Sequence, residues 1–328
     1  MSQFIEKLQL ATWGLRTVAQ HGWPRAVTHF SAGVGDELML TAVVRELRLR
    51  GSPPFWVMSR RPELYRHNPD FSAVVPVDAR VPALARRCGA RVVEPQYTRE
   101  LPGGNVLRPP AHLLVSLMAT AGITGPVKLK PILTLTTAEQ RAAAGWAGVI
   151  VIQPTVRSAV RPNELKEWWP ERWQAVVDGL RANHRIVQIG GAADALLDGV
   201  EDCRGHSHGL REIAAMLDQA RLFVGLESGF MHLARAADCP AVILFGGRAH
   251  PVDAGYAGNA NLFRSPACAP CWRYNGCEID RQCMRDITPA DVREAIDLML
   301  QRPRGPLPVT EVVITPEEQQ RIAVALRR

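Results

Sequence analysis

The stretch LFVGLESGFMHLARAADCPAVILFGG, residues 222–247, contains in order an apolar run, a polar turn, a helical pattern and a second apolar run. The first strand is predicted to end at Gly225, Glu227–Gly229 to form the turn, and a helix to begin near Phe230. A strand that leads through a helix into another strand is typical of parallel sheets wound with helices. The stretch therefore predicts an α/β protein.

The turn of this stretch has the features of an anion site. Unpaired N–H groups at the start of a helix attract negative charge, and the Ser228 hydroxyl lies beside them. His232 is in the first turn of the same helix and can donate to a phosphate. The alternative is that Ser228 only caps the helix and that His232 packs at the surface.

The same alternation of strands and helices occurs in two successive blocks. The first block has predicted strands at 26–30, 54–59, 73–77 and 91–93, and the second begins with the apolar strand at 148–154. Two such blocks predict two Rossmann-like domains that face each other across a cleft. Ligands of wound sheets bind at the carboxyl ends of the strands, so the turns that follow the strands are the candidate site.

Domain boundaries follow from the point at which the pattern restarts. We predict an N-terminal domain at 1–140, a C-terminal domain at 147–302 and a tail at 303–328. The tail is expected to be a short segment that packs back on the N-terminal domain.

Composition narrows the class of protein. The 328 residues have a formal net charge of +7 at pH 7, and 47% of them are hydrophobic. This balance is typical of a soluble globular protein, and the positive charge favours an anionic partner. Because the basic residues are dispersed, nucleic acid is not the expected partner.

No apolar run approaches the roughly 18–20 residues that span a bilayer, and the N-terminus lacks the pattern of a signal peptide. The sequence therefore predicts a cytoplasmic location. The apolar residues of the N-terminal helix either pack on their own domain or make a peripheral contact with the inner membrane.

Four blocks of the chain, in order, resemble the motifs of glycosyltransferase family 9, the ADP-heptose heptosyltransferases of lipopolysaccharide assembly. The matching positions are Gly35 and Asp36; Lys166, Trp168, Trp169, Pro170 and Trp173; Ser228, Gly229, His232, Ala234, Pro240, Phe245 and Gly246; and the four cysteines ahead of Met284. Two positions depart from the pattern, because Glu227 replaces the usual aspartate and Ala42 the usual proline.

The resemblance implies the GT-B architecture, in which the N-terminal domain holds the acceptor and the C-terminal domain binds the nucleotide sugar. It also implies an inverting sugar transfer that requires no cofactor or divalent metal. The implied donor is ADP-heptose or another nucleotide sugar. The implied acceptor is a hydroxyl group of a glycan, a protein or a small molecule.

Asp36 is the candidate general base. It follows the first strand, in the domain that is expected to hold the acceptor, and a carboxylate there can take the proton of the attacking hydroxyl. The alternative is that Asp36 caps the helix that follows it, since aspartate is a favoured cap.

The leaving diphosphate needs positive charge and hydrogen-bond donors. Lys166 is the candidate catalytic cation. The other candidates for binding the nucleotide sugar are Thr155, Arg157, Ser158, Gln188, Gly190, Glu227, Ser228, Gly229 and His232. Of these, Gln188 and Gly190 lie at the end of a predicted strand, where we expect the base of the nucleotide.

Four cysteines are close together in the segment CAPCWRYNGCEIDRQC: Cys268, Cys271, Cys277 and Cys283. Four thiolates can hold structural zinc or iron in a tetrahedral site. The alternatives are reduced, packed cysteines and disulfides. Because such a metal would have no open position, it would have no part in the chemistry.

Two other functions fit parts of the sequence. Gly33-Val34-Gly35 after a first strand is similar to an NADP fingerprint, but Leu38 stands at the third glycine position and Asp36 would repel the pyrophosphate. A non-catalytic protein that binds nucleotides or glycans could use the same scaffold.

Overall fold

The computed structural model describes the backbone of residues 2–30, 33–101, 105–157, 159, 162–205, 208–274 and 276–327, and the side chains of those residues from Thr12 onward. The helices are α1 Ser2–His21, α2 Val34–Leu49, α3 Arg80–Arg87, α4 Leu113–Thr120, α5 Thr137–Ala142, α6 Pro170–Leu180, α7 Leu210–Gln219, α8 Gly229–Ala236, α9 Pro251–Ala254, α10 Gln282–Arg285, α11 Pro289–Gln301 and α12 Pro316–Arg327. The strands are β1 Ala26–Thr28, β2 Phe55–Met58, β3 Phe71–Val75, β4 Arg91–Val93, β5 Gly125–Lys128, β6 Ile150–Gln153, β7 Ile186–Gly190, β8 Glu201–Arg204, β9 Leu222–Leu226, β10 Ala241–Phe245, β11 Ala260–Phe263 and β12 Glu311–Ile314.

Two parallel sheets form the centres of two α/β domains. The first has the strand order β3-β2-β1-β4, and the second has the order β11-β10-β9-β6-β7-β8. The strands of the second sheet are aligned at their carboxyl ends, since Gln153 is in register with Gly225 and Leu226 with Leu244. The turns after β6, β9 and β10 therefore lie along one edge. The predicted pair of wound sheets is confirmed.

The end of the chain returns to the N-terminal domain. Strand β12 pairs antiparallel with β5, and the Gln319 side chain donates to the Ala119 carbonyl of α4 over 2.8 Å. Ile322 and Leu326 of α12 are buried with the core residues of α4. The chain therefore crosses between the domains twice, once ahead of β6 and once after α11. The exact domain boundaries stay predictions.

The two domains touch where α2 and α8 begin. A Cβ atom built on Gly35 would lie 2.5 Å from Cδ2 of His232 and 3.2 Å from Cα of Gly229. Only glycine allows this approach at position 35, because real Cβ contacts are essentially never that short. The contact brings the starts of both helices to the same cleft. Within the described part of the chain, no helix combines the length and the apolar character required to cross a bilayer.

Candidate active site

A cavity of about 910 Å³ lies between the domains. We call its lining residues from 30–113 the N-terminal wall and those from 153–274 the C-terminal wall. Eight of the residues that the sequence predicts for the site line this cavity: Asp36, Thr155, Lys166, Gly190, Glu227, Ser228, Gly229 and His232. The folding of two separate sheets therefore brings most of the predicted residues together.

Among the described lining residues that belong to α2, Asp36 is the only one with a carboxylate. One oxygen accepts the Tyr97 hydroxyl at 3.0 Å, and the other accepts the backbone N–H of Gly33 at 2.8 Å. The cap of the helix is Gly33, whose extended backbone lets α2 begin at Val34, so Asp36 is not the cap itself. Its carboxylate stabilises the helix start and also faces the cleft.

The surroundings of Asp36 favour a carboxyl that can take up a proton. Burial raises the pKa of Asp36 above its ordinary value. The hydrogen bonds from Tyr97 and Gly33 and the charge of Lys166 act in the opposite direction without cancelling the effect of burial. A carboxylate with a raised pKa is a better proton acceptor, which is what a general base requires.

Lys166 forms a buried ion pair with Glu227 on the C-terminal wall. The ammonium contacts the Glu227 carboxylate and also donates to its backbone carbonyl at 3.1 Å. The exposed fractions of the two side chains are 15% and 10%. Burial opposes ionisation of Glu227, but the positive charges of Lys166 and Arg248 outweigh it and lower the pKa of this carboxyl. Lys166 thus reaches the cavity with its charge balanced.

His232 is a neutral, buried donor or acceptor. Its Nδ1 atom lies 2.6 Å from the Tyr256 hydroxyl. Burial lowers the pKa of His232 to about 4, so the ring carries no charge at neutral pH. The side chain is packed against the start of α2 rather than at a free surface, which corrects the surface alternative for this residue.

Ser228 has the helix-cap role that was considered for it, and its role in anion binding stays a prediction. It is the cap of α8, because its hydroxyl oxygen accepts the Phe230 N–H at 3.2 Å. The same hydroxyl donates to the Gln153 side chain at 2.7 Å, and that side chain donates to the Thr155 carbonyl at 2.9 Å. Gln153 therefore links the turns after β6 and β9, and it holds both at the cavity.

Gly190 ends β7 in a conformation that excludes other residues. Its φ is +148°, and a Cβ atom there would lie 2.5 Å from the Asp194 carboxylate. That carboxylate accepts the Gly191 N–H at 2.6 Å, which closes a tight turn. Gly190 and Gly191 line the cavity without side chains, so this part of the turn presents backbone to it.

Two predicted residues do not line the cavity, and a third is not among the residues that the structure describes. The Gln188 side chain is fully buried and is used by the backbone of the next loop, because it donates to the Ala195 carbonyl at 2.8 Å and accepts the Leu197 N–H at 2.9 Å. The Arg157 side chain is 76% exposed and lies 3.8 Å from Glu167. Ser158 lies outside the described residues.

The cysteine segment is part of the C-terminal wall, and its four cysteines differ in burial. Cys268 and Cys277 are exposed, while Cys283 is buried and accepts the Gly247 N–H at 2.9 Å. Cys271 is half-buried, and all four are free thiols. Among the described residues no group of three or more His, Cys, Asp or Glu could hold a metal ion. The predicted zinc or iron site is therefore not formed in this structure.

The lining residues that the sequence analysis missed include Tyr97, Gln153 and Arg248. Gln153 and Arg248 are polar residues at or just after the carboxyl ends of predicted strands, and that position was the available signal. Tyr97 lies in a loop rich in proline and glycine, where spacing indicates no direction for a side chain. Its contact with Asp36 depends on the tertiary fold.

Comparison with known sequences finds a family model that matches part of the chain. The family model for glycosyltransferase family 9 (heptosyltransferase) matches residues 127–278. Lipopolysaccharide heptosyltransferase 3 of Escherichia coli is 26% identical over 226 residues, which cover 61% of this chain and 62% of that protein. The protein of the same name from strain K12 is 33% identical over 113 residues, 31% of each chain. The chain thus spans less than two thirds of the length of these curated relatives.

Comparison with solved structures shows the fold. The iron-containing dodecameric glycosyltransferase TibC of enterotoxigenic E. coli has a TM-score of 0.63 at 18% identity, over 84% of this chain and 76% of that one. It has also been solved in complex with ADP-D-beta-D-heptose. The ADP-heptose lps heptosyltransferase II of E. coli has a TM-score of 0.63 at 16% identity, over 84% of this chain and 98% of that one. The architecture is GT-B.

Proposed function

We propose, from the match of the glycosyltransferase family 9 model to residues 127–278, that the protein transfers a heptose, or a related sugar, from ADP-heptose to an acceptor hydroxyl with inversion. The observation that supports this most directly is the cavity itself. Asp36 lines one wall, and Lys166 with the start of α8 lines the other. The complex of TibC with ADP-D-beta-D-heptose, on a similar fold, supports the choice of donor.

The proposed reaction is a single in-line displacement. The acceptor oxygen forms a bond to the anomeric carbon while the bond from that carbon to the diphosphate breaks. The electron pair of the broken bond leaves on the diphosphate oxygen, and the hydroxyl proton passes to Asp36. The Tyr97 hydroxyl and the Gly33 N–H hold the carboxylate in place for that transfer.

The C-terminal wall is suited to the leaving diphosphate. The backbone N–H groups at the start of α8 carry partial positive charge, and Gln153 fixes the turns that contain Ser228 and Thr155 on either side of it. Donors fixed in advance toward developing charge contribute about 3–4 kcal/mol each in known enzymes. The turn at Gly190 is suited to the base of the nucleotide. The acceptor remains a glycan, a protein or a small molecule.

The experiment that tests this function compares Asp36→Asn with the wild type. We expect turnover to fall by about 10²–10⁴-fold, because the base is lost, while affinity for ADP changes little. Turnover is measured as release of ADP from ADP-heptose with a panel of lipid A–core oligosaccharides, a protein and small hydroxyl compounds. Asp178→Asn is the matched control, since that carboxylate is 47% exposed on α6.

The outcomes separate the alternatives. If Asp36→Asn retains full turnover, Asp36 is not the base. A wild type that binds nucleotides without turnover would indicate a binding protein. The activity of the wild type should also fall as the pH falls through the pKa of Asp36, and burial places that pKa above 3.8.

A further inference from the structure

Arg248 is a buried cation that follows β10 on the C-terminal wall. Its exposed fraction is 7%, and its Nε atom has no hydrogen-bond partner. No described carboxylate forms an ion pair with it. A buried charge without a partner is costly, so a guanidinium in this state is a candidate for binding an anion.

Two aromatic rings hold the Arg248 side chain. The guanidinium carbon lies 4.8 Å from the ring centroid of Trp272 and 4.6 Å from that of Tyr274. Both rings belong to the cysteine segment and line the cavity. Stacking on ring faces fixes the plane of a guanidinium and leaves its N–H groups available for an oxyanion.

The backbone of Trp272 is strained in order to place this ring. Its φ of +52° is unusual for a bulky residue. The conformation is held by a hydrogen bond from its N–H to the Arg248 carbonyl, 3.0 Å, and by its indole N–H to Asp253, 3.2 Å. Strain that is locked by several contacts is concentrated at functional sites.

The other cations of the described lining residues are already balanced or neutral. Lys166 is paired with Glu227, and Arg61 is paired with Glu37 at 2.8 Å. His232 is neutral at neutral pH. Arg248 is therefore the cation of the described lining that has no carboxylate within ion-pair distance. The proposed leaving group carries the negative charge that would compensate it.

Arg248 is also close to the expected position of that charge. Its charge acts on both Lys166 and Glu227, and Glu227 directly precedes the start of α8. We propose that Arg248, held between Trp272 and Tyr274, binds the diphosphate of the donor and stabilises it as it leaves. This proposal rests on the function proposed above and adds a catalytic residue to it.

The test measures binding of ADP and of adenosine to the full chain. Arg248→Gln should lower affinity for ADP by about 10- to 100-fold, as expected for the loss of a charge-assisted hydrogen bond, and leave affinity for adenosine within about twofold. Arg248→Lys keeps the charge but loses the planar stacking, and it should give a smaller loss. Arg273→Gln, on the same segment but 48% exposed, is the control that should match the wild type.

Binding of adenosine shows in each variant that the site is folded. If Arg248→Gln does not fold, the comparison is made on Arg248→Lys. Equal affinities for ADP in the wild type and the folded variant would overturn the proposal and leave the proposed function standing. If the wild type binds neither ADP nor UDP nor GDP, the proposed function and this inference both fail.

Discussion

One carboxylate on each wall of the cavity, Asp36 and Glu227, has a shifted pKa, and the two shifts have opposite directions. Asp36 on the N-terminal wall is held by neutral donors, and burial raises its pKa. Glu227 on the C-terminal wall is held by Lys166 with Arg248 nearby, and its pKa is lowered. Groups of the same chemistry whose pKa values are driven apart commonly take different roles. Of these two carboxylates, Asp36 is the one whose pKa is raised, as the proposed role of general base requires.

The largest expected effect comes from removing the cation that keeps Glu227 ionised. Lys166→Met should lower the free energy of unfolding by about 3–5 kcal/mol, because it leaves a buried carboxylate without its ion-pair partner. The measurement is urea denaturation at neutral pH.

The double variant Lys166→Met with Glu227→Gln is the control for that prediction. It should recover much of the lost stability, since no buried charge remains to be compensated. If the single variant loses less than about 1 kcal/mol, the pair behaves as a surface salt bridge and the contrast between the walls disappears.

A somewhat smaller effect is expected from pH, through His232. Its pKa is about 4 in the folded protein against an ordinary 6.5, so the unfolded chain binds more protons between these values. Stability from this group is complete above about pH 6.5 and is lost as the pH falls toward about 4, up to about 3 kcal/mol. The measurement is urea unfolding across that range.

His232→Asn sharpens the pH experiment. The variant should show a shallower fall in stability between about pH 6.5 and about pH 4 than the wild type. An unchanged slope would mean that His232 is not held neutral by burial.

The smallest effect is expected at Arg157. Because its side chain is 76% exposed and outside the cavity lining, Arg157→Gln should change the affinity for ADP by less than about twofold, as expected for an exposed charge. Arg248→Gln, measured in the same titration, provides the contrast. A large loss in Arg157→Gln would show that this arginine reaches the nucleotide when it binds.

The sequence was most informative where a motif and a strand end coincide. Asp36 and Ser228 were predicted from their positions in turns and Lys166 from the resemblance to the family motif, and the fold brings them to one cavity. Gln188 also lies near a strand end, but its side chain points into the loop that follows. Both faces of β7 are buried. The alternation of apolar and polar residues therefore could not indicate which side chains of this strand point toward the cavity.

Other parts depend on tertiary structure that local patterns do not encode. Strands β8 and β11 were not predicted, because as edge strands they are only partly buried and lack a clear apolar pattern. The spacing of the cysteines suggested a metal, yet the segment contributes the rings of Trp272 and Tyr274 to the cavity. The spacing shows that the four cysteines are close in the sequence, but it does not show in which direction each thiol points.

The double crossing between the domains has a mechanical consequence. Two connections restrict the relative motion of two bodies more than a single connection does. The segment ahead of β6 and the segment between α11 and β12 are two such attachments. Any opening of the cleft must therefore preserve both connections between the wall that carries Asp36 and the wall that faces it.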